Sequence, residues 1–582
     1  ASNYTLTGGT QDYTITQRVL NSSGSKIYDA NTNALAGAIT LSNLVSGEAL
    51  NHSGTATISS ANAASYTITN LAGITIADGS GGAASNYTLT GGTHNFTVNR
   101  RVVGVSGTRL YDATTNAVAS DLSTHANLVG SETLTLSGTG TIASKDVGSN
   151  KTVSVGTLAL GNGSNGGLAA NYTLSGGTHQ LTVNQRPLNA TLARQYDGTT
   201  AAAGSTLSSF DALQGGETLT MTGSGTAASA NVANGIAMSS NGNLALADGT
   251  GAASNYSLNS AVINITKRVL NSSGSKTYDA NTNALAGAIT LSNLVSGEAL
   301  NHSGTATIGS ANAGSYTITN LAGITIADGS GGAASNYTLT GGTHNFTVNR
   351  RVVGVSGTRL YDATTNAVAS DLSTHANLVG SETLTLSGTG SVANANVGNN
   401  KTVTVGTLAL GNGSNGGLAG NYTLTGGTHQ LTVNRRPLNA TIQRVYDGGL
   451  NAEGSDLSSF DALQGGETLT MTGSGTAASA NVANGIAMSS NGNLALADGT
   501  GAASNYSLNS TVINIAKRVL NSSGSKTYDA NTNALAGAIT LSNLVSGEAL
   551  NHSGTATISS ANAASYTITN LAGITIADGS GG

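Results

Sequence analysis

The sequence predicts an all-β protein: a tandem array of small antiparallel β-sandwich domains of the Ig-like type that together form an elongated rod. Two observations carry this prediction. Apolar and polar residues alternate in short runs, with a turn rich in Gly, Asn, Asp or Ser every ~8 to 12 residues, which is typical of antiparallel sandwiches and small barrels. The same pattern then recurs along the 582 residues at a fixed period. No helix is evident in it.

Two short markers define the period. The tripeptide Tyr-Asp-Ala or Tyr-Asp-Gly begins at Tyr28, Tyr111, Tyr196, Tyr278, Tyr361, Tyr446 and Tyr528. The tetrapeptide Asn-Tyr-Thr-Leu or Asn-Tyr-Ser-Leu begins at Asn3, Asn86, Asn171, Asn255, Asn336, Asn421 and Asn505. Successive Tyr-Asp markers lie 83, 85 and 82 residues apart, and the sequence returns almost letter for letter after 250 residues. The chain is therefore an array of three repeat types in the order A, B, C, A, B, C, A.

The markers also predict the boundaries of the repeats. We place repeats A1, B1, C1, A2, B2 and C2 at residues 18–100, 101–185, 186–267, 268–350, 351–435 and 436–517. Residues 1–17 are predicted to be the closing hairpin of a preceding repeat, and residues 518–582 to be a partial repeat, A3. Each complete repeat is long enough to bury a modest core of its own.

Neighbouring repeats are predicted to join without a linker. The stretch 86–103 alternates apolar and polar residues, breaks at Gly91-Gly92, and runs past Arg100-Arg101 into the next repeat. We interpret it as a hairpin whose second strand continues into the following domain. Because no Gly-, Ser- or Pro-rich linker separates the domains, the junction is expected to be stiff. With strands of ~6 to 8 residues at ~3.3 Å per residue, the chain would extend on the order of 200 Å.

Charge and composition exclude several classes of protein. Charged residues make up 8% of the chain and the net charge is −5, so neither nucleic acid nor an anionic membrane is an expected partner. Cysteine is absent, which excludes disulfides and cysteine-based metal sites. No apolar run approaches ~18 residues, so no membrane insertion is predicted in this segment. Since no catalytic constellation is visible, we predict neither enzymatic activity nor a cofactor.

Several recurring polar residues are interpreted as structural. Residues 29–33 match a calcium-binding loop poorly, because Ala34 and Thr40 stand where such a loop has Gly and Glu; we expect a packed tyrosine followed by an Asx turn. One glutamate per repeat follows a turn and is expected to be solvated: Glu48, Glu132, Glu217, Glu298, Glu382, Glu467 and Glu548. The histidines lack the spacing of a zinc site and are expected on the surface or at strand ends: His52, His94, His125, His179, His302, His344, His375, His429 and His552.

Pairs of basic residues at the junctions are the candidate binding site of the sequence. They are Arg100, Arg101, Lys267, Arg268, Arg350, Arg351, Arg435, Arg436, Lys517 and Arg518. A ladder of paired cations along the array could bind a polyanion such as an acidic polysaccharide. Alternatively, charges placed on exposed strand edges prevent edge-to-edge aggregation.

A set of ordered motifs resembles a known family. Tyr-Asp-Gly-Thr-Thr at residues 196–200, Val-Gly-Ser-Asn-Lys-Thr-Val at 147–153 and Asn-Tyr-Thr-Leu at 171–174 resemble the Gly-rich, mostly-β YDG/MBG-type repeat domains of large filamentous-haemagglutinin-like adhesins secreted by Gram-negative bacteria. The resemblance covers essentially the whole chain, with Ala30 and Ala113 where the family name has glycine. It implies an extracellular or bacterial cell-surface location and a role as stalk or filament, and it carries over no catalytic residue.

We therefore expect a non-enzymatic structural repeat region, the rigid stalk or extracellular filament of a secreted adhesin that supports cell adhesion or a biofilm matrix. Expected partners are further copies of the chain, bound head-to-tail or laterally, or other cell-surface and matrix components. Two alternatives stay open: the repeats themselves bind glycans or polyanions through the junction cations, or they assemble by strand addition. In the second case residues 1–17 of one molecule complete the partial repeat 518–582 of another.

Overall fold

The computed structural model describes residues 2–581, which form β-strands, short 3-10 helices and loops. No α-helix occurs among the described residues. The chain divides into two compact units: Ala1–Leu270 with Asn293–Leu300 and Ala327–Gly341, and Asn271–Ser292 with Asn301–Ile326 and Gly342–Gly582. The prediction of an all-β array of repeated sandwiches is confirmed.

The strands recur from repeat to repeat in the first half of the array. In A1 they are Arg18–Val19, Asn21–Ile27, Asn33–Leu35, Ile39–Ser42, Leu50–Thr57, Ser65–Thr67, Ile74–Asp78, Tyr87–Thr88 and His94–Asn99. In B1 they are Arg101–Val102, Gly104–Leu110, Asn116–Val118, Thr124–Ala126, Leu134–Ser137, Thr139–Ile142, Gly148–Ser154, Ala159–Asn162, Tyr172–Thr173 and His179–Asn184. In C1 they are Arg186–Gln195, Ala201–Ala203, Leu207–Phe210, Leu219–Thr222, Ser224–Ala227, Ala233–Ser240, Ala245–Asp248 and Tyr256–Thr266.

The second half of the array follows the same plan. In A2 the strands are Arg268–Val269, Asn271–Thr277, Asn283–Leu285, Ile289–Ser292, Leu300–Ile308, Gly314–Asn320, Ile324–Asp328, Tyr337–Thr338 and His344–Asn349. In B2 they are Arg351–Val352, Gly354–Leu360, Asn366–Val368, Thr374–Ala376, Leu384–Ser387, Thr389–Val392, Gly398–Thr404, Ala409–Asn412, Tyr422–Thr423 and His429–Asn434. In C2 they are Arg436–Val445, Asn451–Glu453, Leu457–Phe460, Leu469–Thr472, Ser474–Ala477, Ala483–Ser490, Ala495–Asp498 and Tyr506–Ala516.

The partial repeat and the helical turns complete the description. In A3 the strands are Asn521–Gly524, Asn533–Leu535, Ile539–Ser542, Leu550–Ile558, Ile568–Asn570 and Ile574–Asp578. The 3-10 helices are single turns at Ala36–Ala38, Ala84–Asn86, Ala119–Asp121, Ala169–Asn171, Gly204–Thr206, Ala253–Asn255, Ala286–Ala288, Ala334–Asn336, Ala369–Asp371, Ala419–Asn421, Gly454–Asp456, Ala503–Asn505 and Ala536–Ala538.

Repeat B1 illustrates the sheet topology. Its main sheet has six strands, in the spatial order Asn116–Val118, Thr139–Ile142, Gly148–Ser154, His179–Asn184, Gly104–Leu110 and Thr124–Ala126. We call Gly104–Leu110 the opening strand and His179–Asn184 the closing strand, and their counterparts in other repeats likewise. These two strands pair in parallel, with Val105 opposite His179 and Gly107 opposite Leu181. The sandwich is thus as predicted except for this one parallel pair, which makes the sheet mixed; the other neighbours in the sheet pair antiparallel.

The predicted closing hairpin is also wrong. In A1, Tyr87–Thr88 pairs in parallel with Arg18–Val19, and His94–Asn99 pairs in parallel with Asn21–Ile27. Among the described strands, these two segments are not paired with each other. Gly91, at φ +90°, lies in the short loop that separates the strand Tyr87–Thr88 from the strand His94–Asn99. An interrupted strand and a hairpin share the same alternation of apolar and polar residues, so the sequence pattern does not separate them.

Parallel pairing of the opening and closing strands explains how repeats follow one another without a linker. Two parallel neighbours start at the same end of a domain, so the chain arrives at one end of the repeat and leaves at the other. In repeat C1 the closing strand Tyr256–Thr266 is continuous and pairs with the opening strand Arg186–Gln195 over its whole length. Only Lys267 separates this closing strand from the first strand of A2, Arg268–Val269.

The tight turn after each Tyr-Asp marker has the expected form. In B1 the main-chain N–H of Thr114 donates to Asp112 Oδ1 at 2.9 Å, which is an Asx turn and confirms that interpretation. Ala113 adopts φ +62°, close to the +79° of Gly198 at the same position in C1. Arg109 donates to the Thr114 carbonyl at 2.7 Å and thus holds the turn closed. This support lets alanine occupy a left-handed conformation that glycine adopts more readily.

The histidines of the closing strands are buried, which the sequence did not indicate. His94 begins its strand, as expected for a strand-end residue, but is only 5% exposed. Its Nε2–H donates to the Leu89 carbonyl at 2.7 Å, and its Nδ1 lies 2.9 Å from the Ser22 hydroxyl. The imidazole ring thereby connects the loop that precedes the closing strand to the opening strand. His179 makes the matching contact with the Leu174 carbonyl in B1.

Candidate functional site

The recurring markers meet at the boundary between one repeat and the next. At the A1–B1 boundary, Tyr28 of A1 donates its hydroxyl to Glu132 Oε1 of B1 at 2.7 Å. Tyr172 of B1 donates to Oε2 of the same carboxylate, also at 2.7 Å. The two rings pack edge to face, with centroids 5.4 Å apart and planes at 75°. We call this arrangement, a carboxylate shared by tyrosines of two repeats, the tyrosine–glutamate clasp.

The clasp is built at five boundaries, each of which lies within one of the two compact units. Hydroxyl–carboxylate distances are 2.5–2.9 Å and ring centroids lie 5.2–5.4 Å apart. In chain order, the clasps are Tyr28–Glu132–Tyr172, Tyr111–Glu217–Tyr256, Tyr196–Glu298–Tyr337, Tyr278–Glu382–Tyr422 and Tyr361–Glu467–Tyr506. At the C2–A3 boundary, Tyr446 donates to Glu548.

The asparagine of the Asn-Tyr marker adds a second polar contact beside the clasp. Asn171 of B1 accepts from the Ala63 main-chain N–H of A1 at 2.8 Å and donates to Asn62 Oδ1 at 3.0 Å. Its side chain is fully buried. The same two bonds are made at the other four clasped boundaries by Asn255, Asn336, Asn421 and Asn505. Because a buried amide needs its hydrogen-bond partners, this asparagine fixes the position of the preceding repeat's loop.

The junction cations fall into two groups. In every pair the second residue donates to the carbonyl of the preceding marker tyrosine, as Arg101 does to Tyr28 at 3.3 Å; the other second residues are Arg268, Arg351, Arg436 and Arg518. The first residue of each pair is exposed: Arg100, Lys267, Arg350, Arg435 and Lys517. The B1–C1 boundary has the same contact from Arg186 although Gln185 precedes it. A search for charge pairs therefore missed Arg186, which a search for one arginine per boundary would have found.

The expectation that the recurring glutamates are solvated is wrong for Glu132, whereas the other six are half-buried. Glu132 is only 9% exposed, because the preceding repeat covers the turn that carries it. The turn itself is as expected, with the Glu132 N–H donating to the Val129 carbonyl at 3.0 Å. A sequence shows where a turn occurs, but it does not show which turns a neighbouring domain covers. The sequence did contain one indication of a contact between repeats: the same tyrosine, glutamate and asparagine recur in the repeats of an array without linkers.

The tyrosines of the clasp have raised pKa values. Burial and the hydrogen bond to Glu132 raise the pKa of Tyr28 and Tyr172 to about 12. An unfolded tyrosine titrates near ~10, so the folded state holds these protons more tightly. The stabilisation is therefore complete below pH ~10 and is lost as the pH rises through the folded value.

We accordingly expect the clasps to weaken between pH ~10 and about 12. The measurement is an alkaline titration followed by tyrosinate absorbance, with hydrogen exchange of the boundary peptides recorded in parallel. Loss of protection at the boundaries should accompany the late-titrating tyrosines. Full protection after those tyrosines have ionised would contradict the expectation.

One boundary carries an additional charge. At B1–C1, Lys145 forms an ion pair with Glu217, which also accepts from Tyr111 and Tyr256. Burial acts to raise the pKa of the Glu217 carboxyl, but the hydrogen bonds from Lys145 and the tyrosines outweigh it and hold that pKa below its usual range. At B2–C2 the position of Lys145 is occupied by Ala395, and the carboxylate of Glu467 accepts from the two tyrosines without a lysine partner at that position.

We expect Lys145→Ala to make the B1–C1 boundary behave like B2–C2. Lys145 is 41% exposed at its side chain, so salt screens its attraction to the carboxylate. Hydrogen exchange of the wild-type chain should therefore show a salt-dependent B1–C1 boundary beside a salt-insensitive B2–C2 boundary. The substitution should remove that difference, and an unchanged salt dependence would show that Lys145 is not its source.

The geometry defines a structural class. At the five clasped boundaries, tyrosines, glutamates, asparagines and arginines of the recurring set form hydrogen bonds that join two consecutive repeats. Among residues 2–581 no three His, Asp or Glu side chains are grouped as metal ligands. The same part of the chain has no helix long and apolar enough to cross a membrane. The molecule is a tandem-repeat protein in which the same contacts recur between consecutive β-sandwiches.

The particular family follows from comparison with known sequences. The YDG domain matches residues 12–94, 97–182, 178–263, 264–344, 347–432 and 429–513, and the chain belongs to this family. No curated protein matches the chain. Among solved structures, the N-terminal eight Ig domains of Down Syndrome Cell Adhesion Molecule isoform 1.30.30 align over 93% of this chain and 91% of that chain, at 9% identity and a TM-score of 0.11.

Proposed function

We propose that these YDG repeats form the stiff shaft of an adhesin exposed on a bacterial surface or in an extracellular matrix. The supporting observation is the linkerless boundary, at which a clasp, an asparagine and an arginine join consecutive repeats. A core cluster also continues across boundaries, since it contains Phe96 of A1, Leu181 of B1 and Leu188 of C1. Contacts of this kind oppose bending between domains, which a shaft requires. Its role is mechanical and not catalytic.

The length of single molecules tests the proposal. Negative-stain microscopy of the 582-residue chain should show straight particles on the order of 200 Å long. Triple replacement of Tyr28, Glu132 and Tyr172 by alanine should introduce a bend at one boundary and leave the others straight. Wild-type particles that are bent back on themselves or globular would overturn the proposal of a shaft. Antibodies raised against the chain should label intact cells of its source, and labelling confined to lysed cells would overturn the surface location.

The exposed junction cations support a second candidate, binding of acidic polysaccharide. The first member of each pair is exposed and suited to contact a ligand, whereas the second is half-buried and donates to a carbonyl of the fold. The test is therefore the five-fold glutamine variant of Arg100, Lys267, Arg350, Arg435 and Lys517. Retention of the wild-type chain on an immobilised acidic polysaccharide should be lost in this variant. Equal retention of both proteins, or no retention of either, would overturn this second function.

A further inference from the structure

The residue that follows each Tyr-Asp marker, which we call the marker residue, meets the turn that carries the clasp glutamate of the next repeat. We call this four-residue turn the clasp turn; in C1 it is 214–217, closed by the bond from the Glu217 N–H to the Gln214 carbonyl. A Cβ atom added to Gly215 of this turn would lie 2.8 Å from the Cβ of Ala113, the marker residue of B1. The Ala113 methyl group therefore fills the space that a side chain at Gly215 would need.

The C1–A2 boundary has the opposite arrangement. Its marker residue is Gly198, and a Cβ atom added there would lie 2.8 Å from Cγ1 of Val295 in the A2 clasp turn. The side chain of the following repeat thus fills the space that the methyl group of the preceding repeat fills at B1–C1. Both arrangements recur later in the array, at 2.8 Å between Gly465 and Ala363 and at 3.0 Å between Gly448 and Val545.

We propose that the marker residue selects the type of repeat that fits behind it: Ala113 makes the B1 face specific for a C repeat, and Gly198 makes the C1 face specific for an A repeat. The C1 clasp turn has a left-handed glycine, Gly215 at φ +60°, at its second position. The A2 clasp turn has Ser296 there instead. Behind B1, an A-type turn would bring a side chain to the place where Ala113 leaves room for none, and such a clash is an effective way to exclude a wrong partner.

The two positions also vary together along the array. A marker ending in alanine precedes a clasp turn with glycine at the second position, and a marker ending in glycine precedes one with serine there. The pairs are Ala30–Gly130, Ala113–Gly215, Gly198–Ser296, Ala280–Gly380, Ala363–Gly465 and Gly448–Ser546. The selection concerns which repeats fit together, so it is independent of the shaft proposed above and holds for a straight or a bent array.

Gly215→Ala in the full chain tests the B–C contact by hydrogen exchange. Neither Cβ atom of the resulting pair with Ala113 can rotate away, because each is fixed to the main chain. The reporter is the peptide 144–151, in which the Val147 N–H donates to Asn255 of C1 at 2.8 Å. Exchange in this peptide should accelerate by about tenfold or more, as expected for overpacking of a closed contact. The B2–C2 counterpart 394–401, which differs in sequence, should stay unchanged.

Gly130→Ala is the matched control. Gly130 and Gly215 occupy the same position of their clasp turns at φ +55° and +60°, so alanine strains the main chain similarly at both. No atom lies within 4 Å of a Cβ position on Gly130. Gly130→Ala should therefore accelerate exchange in 169–176, at the A1–B1 boundary, several-fold less than Gly215→Ala does at its own boundary. Equal effects would overturn the proposal, because backbone strain would then account for both.

Ala113→Gly provides the rescue. Gly198 adopts φ +79° at the same marker position, so glycine fits the turn and the single substitution should change exchange little. Combined with Gly215→Ala, it should restore most of the wild-type protection in 144–151, because the overlapping methyl group is gone. Independent, additive effects of the two substitutions would show that the residues do not interact and would overturn the selection at B–C boundaries.

Gly198→Ala tests the C–A contact. Alanine itself is accepted in this turn, since Ala113 adopts φ +62° at the same position. Exchange in the peptide 194–200 should accelerate several-fold relative to its counterpart 444–450, which differs in sequence, because the new methyl group overlaps Val295. Adding Val295→Ala should reverse the acceleration. Wild-type exchange in Gly198→Ala, or no reversal by the second substitution, would overturn the selection at C–A boundaries.

Discussion

Replacing Glu132 by alanine is expected to lower the free energy of opening the A1–B1 boundary by about 2 to 6 kcal/mol. The substitution leaves the hydroxyls of Tyr28 and Tyr172 without the carboxylate that accepts from both. Each buried hydroxyl without an acceptor costs ~1 to 3 kcal/mol. The side chain of Glu132 is itself almost fully buried, so its removal also creates unfilled space between the repeats.

Hydrogen exchange of the full chain measures this effect with an internal control. The peptide 169–176 contains Asn171 and Tyr172, and its counterpart 419–426 differs in sequence, so mass spectrometry distinguishes the two. Exchange in 169–176 should accelerate at least tenfold, since ~1.4 kcal/mol corresponds to a factor of ten. The second peptide should be unaffected because Glu382 is intact. Glu132→Gln should fall between alanine and wild type, since it keeps one acceptor oxygen. Equal exchange in the variant and the wild type would show that the clasp does not hold the boundary.

Gly107→Ala should destabilise repeat B1 by about 3 kcal/mol, the upper range for overpacking. A Cβ atom on Gly107 would lie 1.7 Å from the Asp121 carbonyl oxygen and 3.0 Å from the Leu122 Cα. These are main-chain atoms, so no side-chain rotation relieves the overlap. The opening strand cannot shift easily either, because it pairs with His179–Asn184 on one side and Thr124–Ala126 on the other.

The peptides 148–154 and 398–404 report on this prediction, because they lie in the main sheets of B1 and B2 and differ in sequence. Only the B1 peptide should lose protection, since Gly357 keeps B2 unchanged. Gly420→Ala is the matched control: no atom lies within 4 Å of its Cβ position, and B1 already has Ala170 there. That substitution should change stability by less than ~0.5 kcal/mol. Equal effects of the two substitutions would mean that the close approach at Gly107 is not limiting.

Prediction from sequence succeeded where the signal is local. The alternation of residues at 86–98 correctly predicts the strands Tyr87–Thr88 and His94–Asn99, the second of which has one face buried. The Asx turn at Asp112 follows from the preference of a short carboxylate for the N–H two residues on. Prediction failed where the partner is distant. Tyr28 and Glu132 are 104 residues apart, and no local pattern links them.

The sequence by itself determined the repeat types, the all-β class and the YDG family, because each is encoded in short motifs that recur at a constant period. Only the tertiary structure decided that the first and last strands of a repeat run in parallel, and that Glu132 is buried. The physical reason is that alternation records which face of a strand meets a core. The direction and identity of the neighbouring strand, and the neighbouring domain that covers a turn, depend on contacts between residues far apart in the chain.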